Sequence, residues 1–438
     1  MYRKISEYLE EWRTGANRKP LILQGARQVG KTYSVLEFGR TKYDNVAYFN
    51  FEASPVLSET FSGDISPKAL IPVLSHICGQ TIVRERTLIV FDEIQLCERA
   101  LTSLKYFCEE APEYHVIALG SLLGVAVNRT TFSFPVGKVD MKTLYPMDIE
   151  EFMLALGEDM LVARIKACFA TDSPMPAALH EAAMRLYREY LVVGGMPECV
   201  SQYASTKDFI LVRTIQDNIL AAYLNDMSKY NNLNEIKKTR LTYDNITVQL
   251  SKKNTRFQYK LIKKGARAAE FENAIEWLTL SGIVSRIYKA EQIKKPLENY
   301  RDVDSFKIYV SDLGLLAAKK QLMPNDILFM SSELDDFKGG MAENYVNFHL
   351  TRNGYTTYYW ESERGAEVDF VIQRSGNIIP VEVKSADNTK AKSLKVYMDM
   401  YCPEYAIKVS SKNFGLEDKK KTVPLYAVFC IAENQPAK

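Results

Sequence analysis

The sequence has no paired cysteines and little histidine. Its seven cysteines stand singly, with no CxxC spacing, beside only four histidines. Zinc-ribbon and finger patterns are thereby excluded, and scattered thiols fit the reduced state of a cytoplasm, the expected location. No apolar run approaches the length of a membrane span, so no membrane partner is expected. The opening "MYRKISEYLEEWRTG" carries acids and lacks a long apolar core, which excludes a signal peptide as its reading. There is no internal repeat and no low-complexity tract. An excess of either charge is also lacking: 56 Lys and Arg against 54 Asp and Glu leave a net charge of +2, so contact with nucleic acid requires a local basic patch. What remains is ordinary for a soluble globular chain, with 47% hydrophobic and 25% charged residues. The length allows roughly two to four domains.

The first part alternates strand-like and helix-like segments. "PLILQ", "NVAYFNF", "TLIVFDE", "YHVIALGS" and "GKVDMKTLYP" read as strands, and "KTYSVLEFG" reads as a helix. Buried apolar strands alternating with helices predict a parallel α/β sheet. From about Glu150 the pattern turns helical and is punctuated by "GGMP" at Gly194–Pro197. Phe271, Ala274, Ile275 and Leu278 then mark one face of a helix that Gly282 ends. Two strand-like runs follow, "IVSRIYKA" and "FKIYVSD". A helix followed by two strands is compatible with a winged helix. A last domain is expected from about Phe329 onward.

"GARQVGKT" fits GxxxxGK[ST] between a strand and a helix. Backbone N–H groups of Gly25, Ala26, Arg27, Gln28, Val29 and Gly30, then of Lys31, Thr32 and Tyr33, would wrap the phosphates of ATP. Lys31 would reach the β- and γ-phosphates, and the Thr32 hydroxyl would ligate Mg²⁺. In "TLIVFDEIQ" four apolar residues carry Asp92 to a strand's end, where it would hold Mg²⁺ through water, with Glu93 the general base. The plain alternative is a solvated acid pair. Ser121, ending "IALGS", is placed either to touch the γ-phosphate or lytic water, or to cap the next helix. Arg129 is the lone arginine before the next strand and a candidate finger acting on a neighbouring copy's nucleotide; Lys138 is a second candidate. A solvated surface arginine is the alternative.

"RKPLILQGARQVGKTYSVLEFG", "TLIVFDEIQLCERALTSLKYFCEEAPEYHVIALGSLLG" and "FPVGKVDMKTLYPMDIEEF" resemble the prokaryotic AAA-type ATPases that carry a C-terminal domain of unknown function. The likeness extends through "VGGMPE", "FKIYVSDLGLLA" and "YYWESERGAEVDFVI…IIPVEVKS", nearly the whole chain. It implies an AAA+ P-loop core in the N-terminal part and an α/β domain like PD-(D/E)xK restriction endonucleases in the C-terminal part. Joined to the segments read above, the expected α/β fold has the core over 1–150, a helical lid over 151–233, a winged-helix-like segment over 234–325 and the nuclease-like domain over 326–438. The resemblance and the phosphate loop imply ATP as a partner; DNA, further copies of the chain and a protein partner are the other partners weighed from the residues.

Between Ile236 and Arg267 stand ten Lys or Arg and one acid, Asp244, with Tyr243, Phe257 and Tyr259 interleaved. Such a run suits a phosphate backbone and the aromatics suit unpaired bases; a merely solvated face is the alternative.

In "EVDFVIQRSGNIIPVEVK" two alternating runs flank turn chemistry. Matching the apolar faces sets Gln373 opposite Ile378, Phe370 opposite Val381 and Val368 opposite Val383. It also sets Asp369 against Glu382, which repel, and Glu367 against Lys384, which attract. A divalent cation is a natural compensator, giving a D…ExK spacing; an amphipathic edge hairpin is the alternative. The family resemblance adds Glu343 in "GGMAENYVNFHL" as a third Mg²⁺ ligand and gives Lys384 the role of positioning water or neutralising charge. Val368 stands before Asp369 where the motif name has proline.

Overall fold

The computed structural model describes residues 1–54, 56–121, 134–229, 233–250, 256–331, 335–385 and 392–432. The chain forms two compact units, Met1–Tyr145 with Leu280–Gly282, and Pro146–Thr279 with Ile283–Lys438. No described helix is long and apolar enough to cross a membrane. All seven cysteines are free thiols.

The first unit is built on a five-stranded sheet. Its strands are β1 (Leu21–Gln24), β2 (Asn45–Asn50), β3 (Thr87–Asp92), β4 (His115–Gly120) and β5 (Asp140–Thr143), ordered β2-β3-β4-β1-β5. Every pairing is parallel, as the alternation of apolar runs and helices predicts. β3 and β4 are buried along their whole length. That is why they read as continuous apolar runs and not as alternating ones. Phe49, Phe51, Phe61, Phe91 and Phe107 pack into one core against this sheet. The ring centroids of Phe51 and Phe61 lie 5.6 Å apart, and those of Phe61 and Phe91 lie 5.7 Å apart. Burying each such ring contributes roughly 1.5–3 kcal/mol.

The second unit has an eight-stranded sheet. β6 (Val284–Ala290), β7 (Arg301–Val310), β8 (Tyr358–Glu361), β9 (Glu367–Arg374), β10 (Asn377–Lys384), β11 (Ala406–Ser410), β12 (Gly415–Glu417) and β13 (Lys420–Pro424) follow the order β12-β13-β11-β10-β9-β8-β6-β7. This corrects the winged-helix reading. The helix Ala268–Leu280 forms on the expected face, burying Phe271, Ala274, Ile275 and Leu278. The two strands after it, however, are no separate wing: β6 pairs in parallel with β8, so they extend the sheet that holds the β9–β10 hairpin. An expected domain boundary at 325 would therefore divide a single sheet.

The helices expected as a lid likewise pack within this unit. The Tyr187 ring on helix Ala177–Val193 meets that of Tyr345 on helix Asp335–Arg352 edge-on at 4.9 Å. "VGGMPE" and "SDLGLLA" meet here as well. Asp312 caps helix Leu313–Lys319 by accepting from Leu315 N at 2.8 Å, and its second oxygen accepts from Gly195 N at 2.7 Å. Gly195 admits no side chain, because a Cβ would lie 2.0 Å from Met147 O. Burial pushes the Asp312 carboxyl up to about 6, although its backbone N–H partners favour the ion. These motifs are thus explained by packing.

Candidate active site

The phosphate loop joins β1 to helix Lys31–Lys42. Gly25 has φ +149°, and a Cβ there would meet Leu144 O at 2.2 Å. Gln28 and Gly30 also have positive φ, at 64° and 88°. Val29 and Ala26 are buried and anchor the loop, whereas Arg27 is half-buried and Gln28 and Tyr33 are exposed. Lys31 is buried and donates to Gly25 O at 2.9 Å and to Ala26 O at 2.8 Å. Burial pulls its ammonium down to about 8, against the opposing influence of Glu93 and Asp92.

The two sequence motifs converge at one bond, in which Thr32 Oγ1 donates to Asp92 Oδ2 at 2.9 Å. Asp92 ends β3, and its other oxygen accepts from Glu93 N at 2.9 Å. Glu93 has φ 54°, an uncommon conformation for a residue with a side chain, held here at a strand end. Its Oε2 accepts from Ser121 Oγ at 3.2 Å and from Gln95 Nε2. Ser121 therefore touches the proposed base directly. Sequence reasoning missed Tyr48, whose hydroxyl donates to Asp92 Oδ2 at 2.6 Å and accepts from Asn50 Nδ2 at 3.1 Å. Burial and the bond to Asp92 push Tyr48 up to about 12. The available signal was the alternation in β2, which sets Tyr48 and Asn50 on one face beside the end of β3. Arg129 lies outside the described residues. Lys138 pairs with Glu109 at 2.9 Å.

In the second unit the hairpin has the expected register from Arg374–Asn377 through Gln373–Ile378 to Phe370–Val381. The backbone ladder stops there. Asp369 Oδ2 instead accepts from Val383 N at 2.7 Å, so Val368 and Val383 are not ladder partners. Glu382 stands beside Lys408 of β11. The expected pair of Glu367 with Lys384 is also corrected: Glu367 pairs with Lys307, and Lys384 with Glu382 at 2.5 Å. Glu343 lies 3.5 Å from Lys307 Nζ and accepts from Tyr309 Oη at 2.9 Å.

The carboxylates still form one electrostatic cluster. Burial raises Asp369 well above the usual carboxylate range, with Glu343 and Glu382 acting in the same direction. Burial also raises Glu382, against the pull of Lys384. Among the described residues, no group of three or more His, Cys, Asp or Glu is arranged to hold a metal ion. One Glu382 oxygen, Oε2, is buried without a hydrogen-bond partner. Lys307 and Tyr309 were missed because β7 was read as a wing. The signal was a lysine between Phe306 and Ile308, and that lysine proves almost fully buried.

The basic run is also revised. Tyr243 and Phe257 are buried, so these two rings serve packing; Tyr259 is half-buried, bonds Glu272 at 3.2 Å and meets the Phe257 ring edge-on at 5.2 Å. Lys237, Lys260, Lys263, Lys264 and Arg267 are exposed; Lys252 and Lys253 lie outside the described residues.

Residues 17–153 match the family model of an AAA domain. Over those residues the chain carries an AAA-family, ATPase-like domain. Residues 184–326 and 338–428 match two domains of unknown function, DUF8612 and DUF4143. The DUF8612 match crosses the expected boundary between lid and winged helix at 233. No curated protein matches the chain. Among solved structures, the Walker-type ATPase PABY2304 of Pyrococcus abyssi aligns at 14% identity and TM-score 0.43, over 72% of this chain and 94% of that one. The Aeropyrum pernix ORC1 protein, solved in complex with DNA, aligns at 13% identity and TM-score 0.30, over 73% and 91%. The Aeropyrum pernix ORC2 protein, solved as ADPNP–ADP complexes, aligns at 12% identity and TM-score 0.33, over 75% and 93%.

Proposed function

We propose that this protein binds and hydrolyses ATP with Mg²⁺ and couples that cycle to DNA processing through a nuclease-like C-terminal domain. The observation that carries the ATPase reading is the bond from Thr32 Oγ1 to Asp92 Oδ2, 2.9 Å. It joins the phosphate loop to the strand end that bears Glu93. Those two oxygens suit Mg²⁺, which favours oxygen ligands and supplies charge neutralisation at the phosphates. The loop N–H groups bind phosphate oxygens, and Lys31 exchanges its two carbonyl partners for them. Glu93 takes the proton of the attacking water, with Ser121 and Gln95 orienting its carboxylate. Glu93→Gln is expected to slow steady-state ATP turnover roughly 10²–10⁴-fold while leaving ATP affinity nearly unchanged. Turnover like that of the unaltered chain would remove Glu93 as the base.

The DNA reading rests on the carboxylate cluster. The unpartnered buried Oε2 of Glu382 is the observation that favours a cation there. Glu343, Asp369 and Glu382 would hold Mg²⁺ only by loosening their present bonds to Lys307, Val383 N and Lys384. Lys384 would then neutralise phosphate charge. The exposed lysines of the basic run supply a surface for a DNA backbone. The pairing of Glu343 and Glu367 with Lys307 favours a second reading, a catalytically silent nuclease-like domain serving a switch or a protein-remodelling ATPase. Cleavage of linear, nicked and single-stranded DNA in Mg²⁺ or Mn²⁺ decides between them. Cleavage lost in Glu382→Ala, with ATP turnover retained, is expected; no cleavage by the unaltered chain in any metal leaves the silent reading.

A further inference from the structure

The second unit contains a cavity of about 260 Å³ in a position that parallel sheets reserve for ligands. β10 and β11 are parallel, as are β11 and β13, and they end at Lys384, Ser410 and Pro424. The next residue of each strand, Ser385, Ser411 and Leu425, lines this cavity. Three strands thus deliver their carboxyl ends to one hollow, the crevice where α/β sheets bind small molecules.

The lining combines polar and apolar side chains. Arg188, on helix Ala177–Val193, and Lys338, on helix Asp335–Arg352, bring two cations beside the two serines. No acid is among the lining residues described. Arg188 Nε is buried and has no hydrogen-bond partner. A guanidinium N–H withdrawn from water without an acceptor is costly, and an anion in the cavity relieves that cost. Arginine is also the side chain best matched to phosphate, through parallel N–H bonds. One turn along the same helices stand Met184, beside Arg188, and Met341, beside Lys338, polarisable thioethers that adapt to planar apolar groups.

We infer that this cavity binds an organic monophosphate, with the phosphate on Arg188, Lys338 and the serine hydroxyls and a planar body against Met184 and Met341. A free nucleoside monophosphate and the 5′-phosphorylated end of a strand share this chemistry. Its lining shares no residue with the phosphate loop, and the inference stands whether or not the carboxylate cluster cuts DNA.

The test is calorimetric titration of the full chain with AMP, adenosine, and a short oligothymidylate with and without its 5′-phosphate. One saturable site for a phosphorylated ligand is expected, with adenosine and the unphosphorylated strand failing to bind it. Lys31→Ala is expected to leave this affinity unchanged. Arg188→Met is expected to weaken it roughly tenfold or more, as is Lys338→Met. Melting curves establish that each variant is folded. AMP binding alone identifies the free nucleotide as ligand, and binding of the phosphorylated strand alone identifies a strand end. The inference is overturned if neither phosphorylated ligand binds, or if binding falls with Lys31→Ala and survives both cavity substitutions.

Discussion

Replacing Lys31 by alanine is expected to lower steady-state ATP turnover by roughly 10²–10³-fold, the scale for removing one preorganised group that stabilises transition-state charge. The expectation follows from where the lysine is held. It is buried at the base of the loop, and its two hydrogen bonds go to carbonyls of the same loop, so phosphate oxygens can replace them without moving the backbone. An alanine leaves those carbonyls without their donor and the phosphates without a cation. Retained turnover would remove the phosphate loop as the site. The same lysine gives the site a pH signature. Burial lowers its pKa to about 8, so the ammonium is lost as pH rises from 7 to 9. ATP affinity should therefore fall across that window. Bound phosphate favours the charged form, so ATP binding above pH 8 should take up a proton. Titration in two buffers of different ionisation enthalpy reads that proton, and Lys31→Ala should abolish it. Affinity that rises from pH 7 to 9 would contradict this account.

What could be read from the sequence divides by how local the physics is. β1, β3 and β4 are apolar runs bounded by turns, and the phosphate loop is eight consecutive residues, so each declares itself in one short window. The hairpin register was also legible, because the Ser375–Gly376 turn and two alternating faces permit one match. Its continuation past Phe370–Val381 was not, since the Asp369 side chain takes the Val383 N–H that a ladder partner would have taken. The place of β6 and β7 was hidden for a different reason. Their link to β8 is a parallel pairing across a long helical crossover, and no local pattern reports which sheet a strand joins. With that link went Lys307 and Tyr309, and hence the cation that pairs with Glu343 and Glu367. Tyr48 was lost similarly, because its partner Asp92 lies on the neighbouring strand.

Arg352 is where the largest loss of stability is expected. The helix Ile149–Ala155 opens with a capping box, Asp148 accepting from Glu151 N and Glu151 reaching back to Asp148 N. Both carboxylates have fully buried side chains, and a helix N-terminus alone does not neutralise two of them. Arg352, from the end of helix Asp335–Arg352, supplies the cation: Nε lies 3.1 Å from Asp148 Oδ2 and Nη2 lies 2.7 Å from Glu151 Oε2, while Nη1 donates to Pro146 O at 2.5 Å. Three donors of one planar group thus tie the first turn of the supposed lid to a helix that packs on the eight-stranded sheet. Removing one partner of a buried ion pair typically costs about 3–5 kcal/mol, because the remaining charge stays buried. Arg352→Met should destabilise the second unit by about that amount. Arg352→Lys should recover only part of the loss, because an ammonium cannot reproduce the fork. Calorimetric melting and urea unfolding followed by tryptophan fluorescence, with Trp277 and Trp360 both buried in this unit, measure the difference. A loss below about 1 kcal/mol, the scale of an exposed pair, would mean that solvent screens this triad and that it does not hold the helix to the sheet domain.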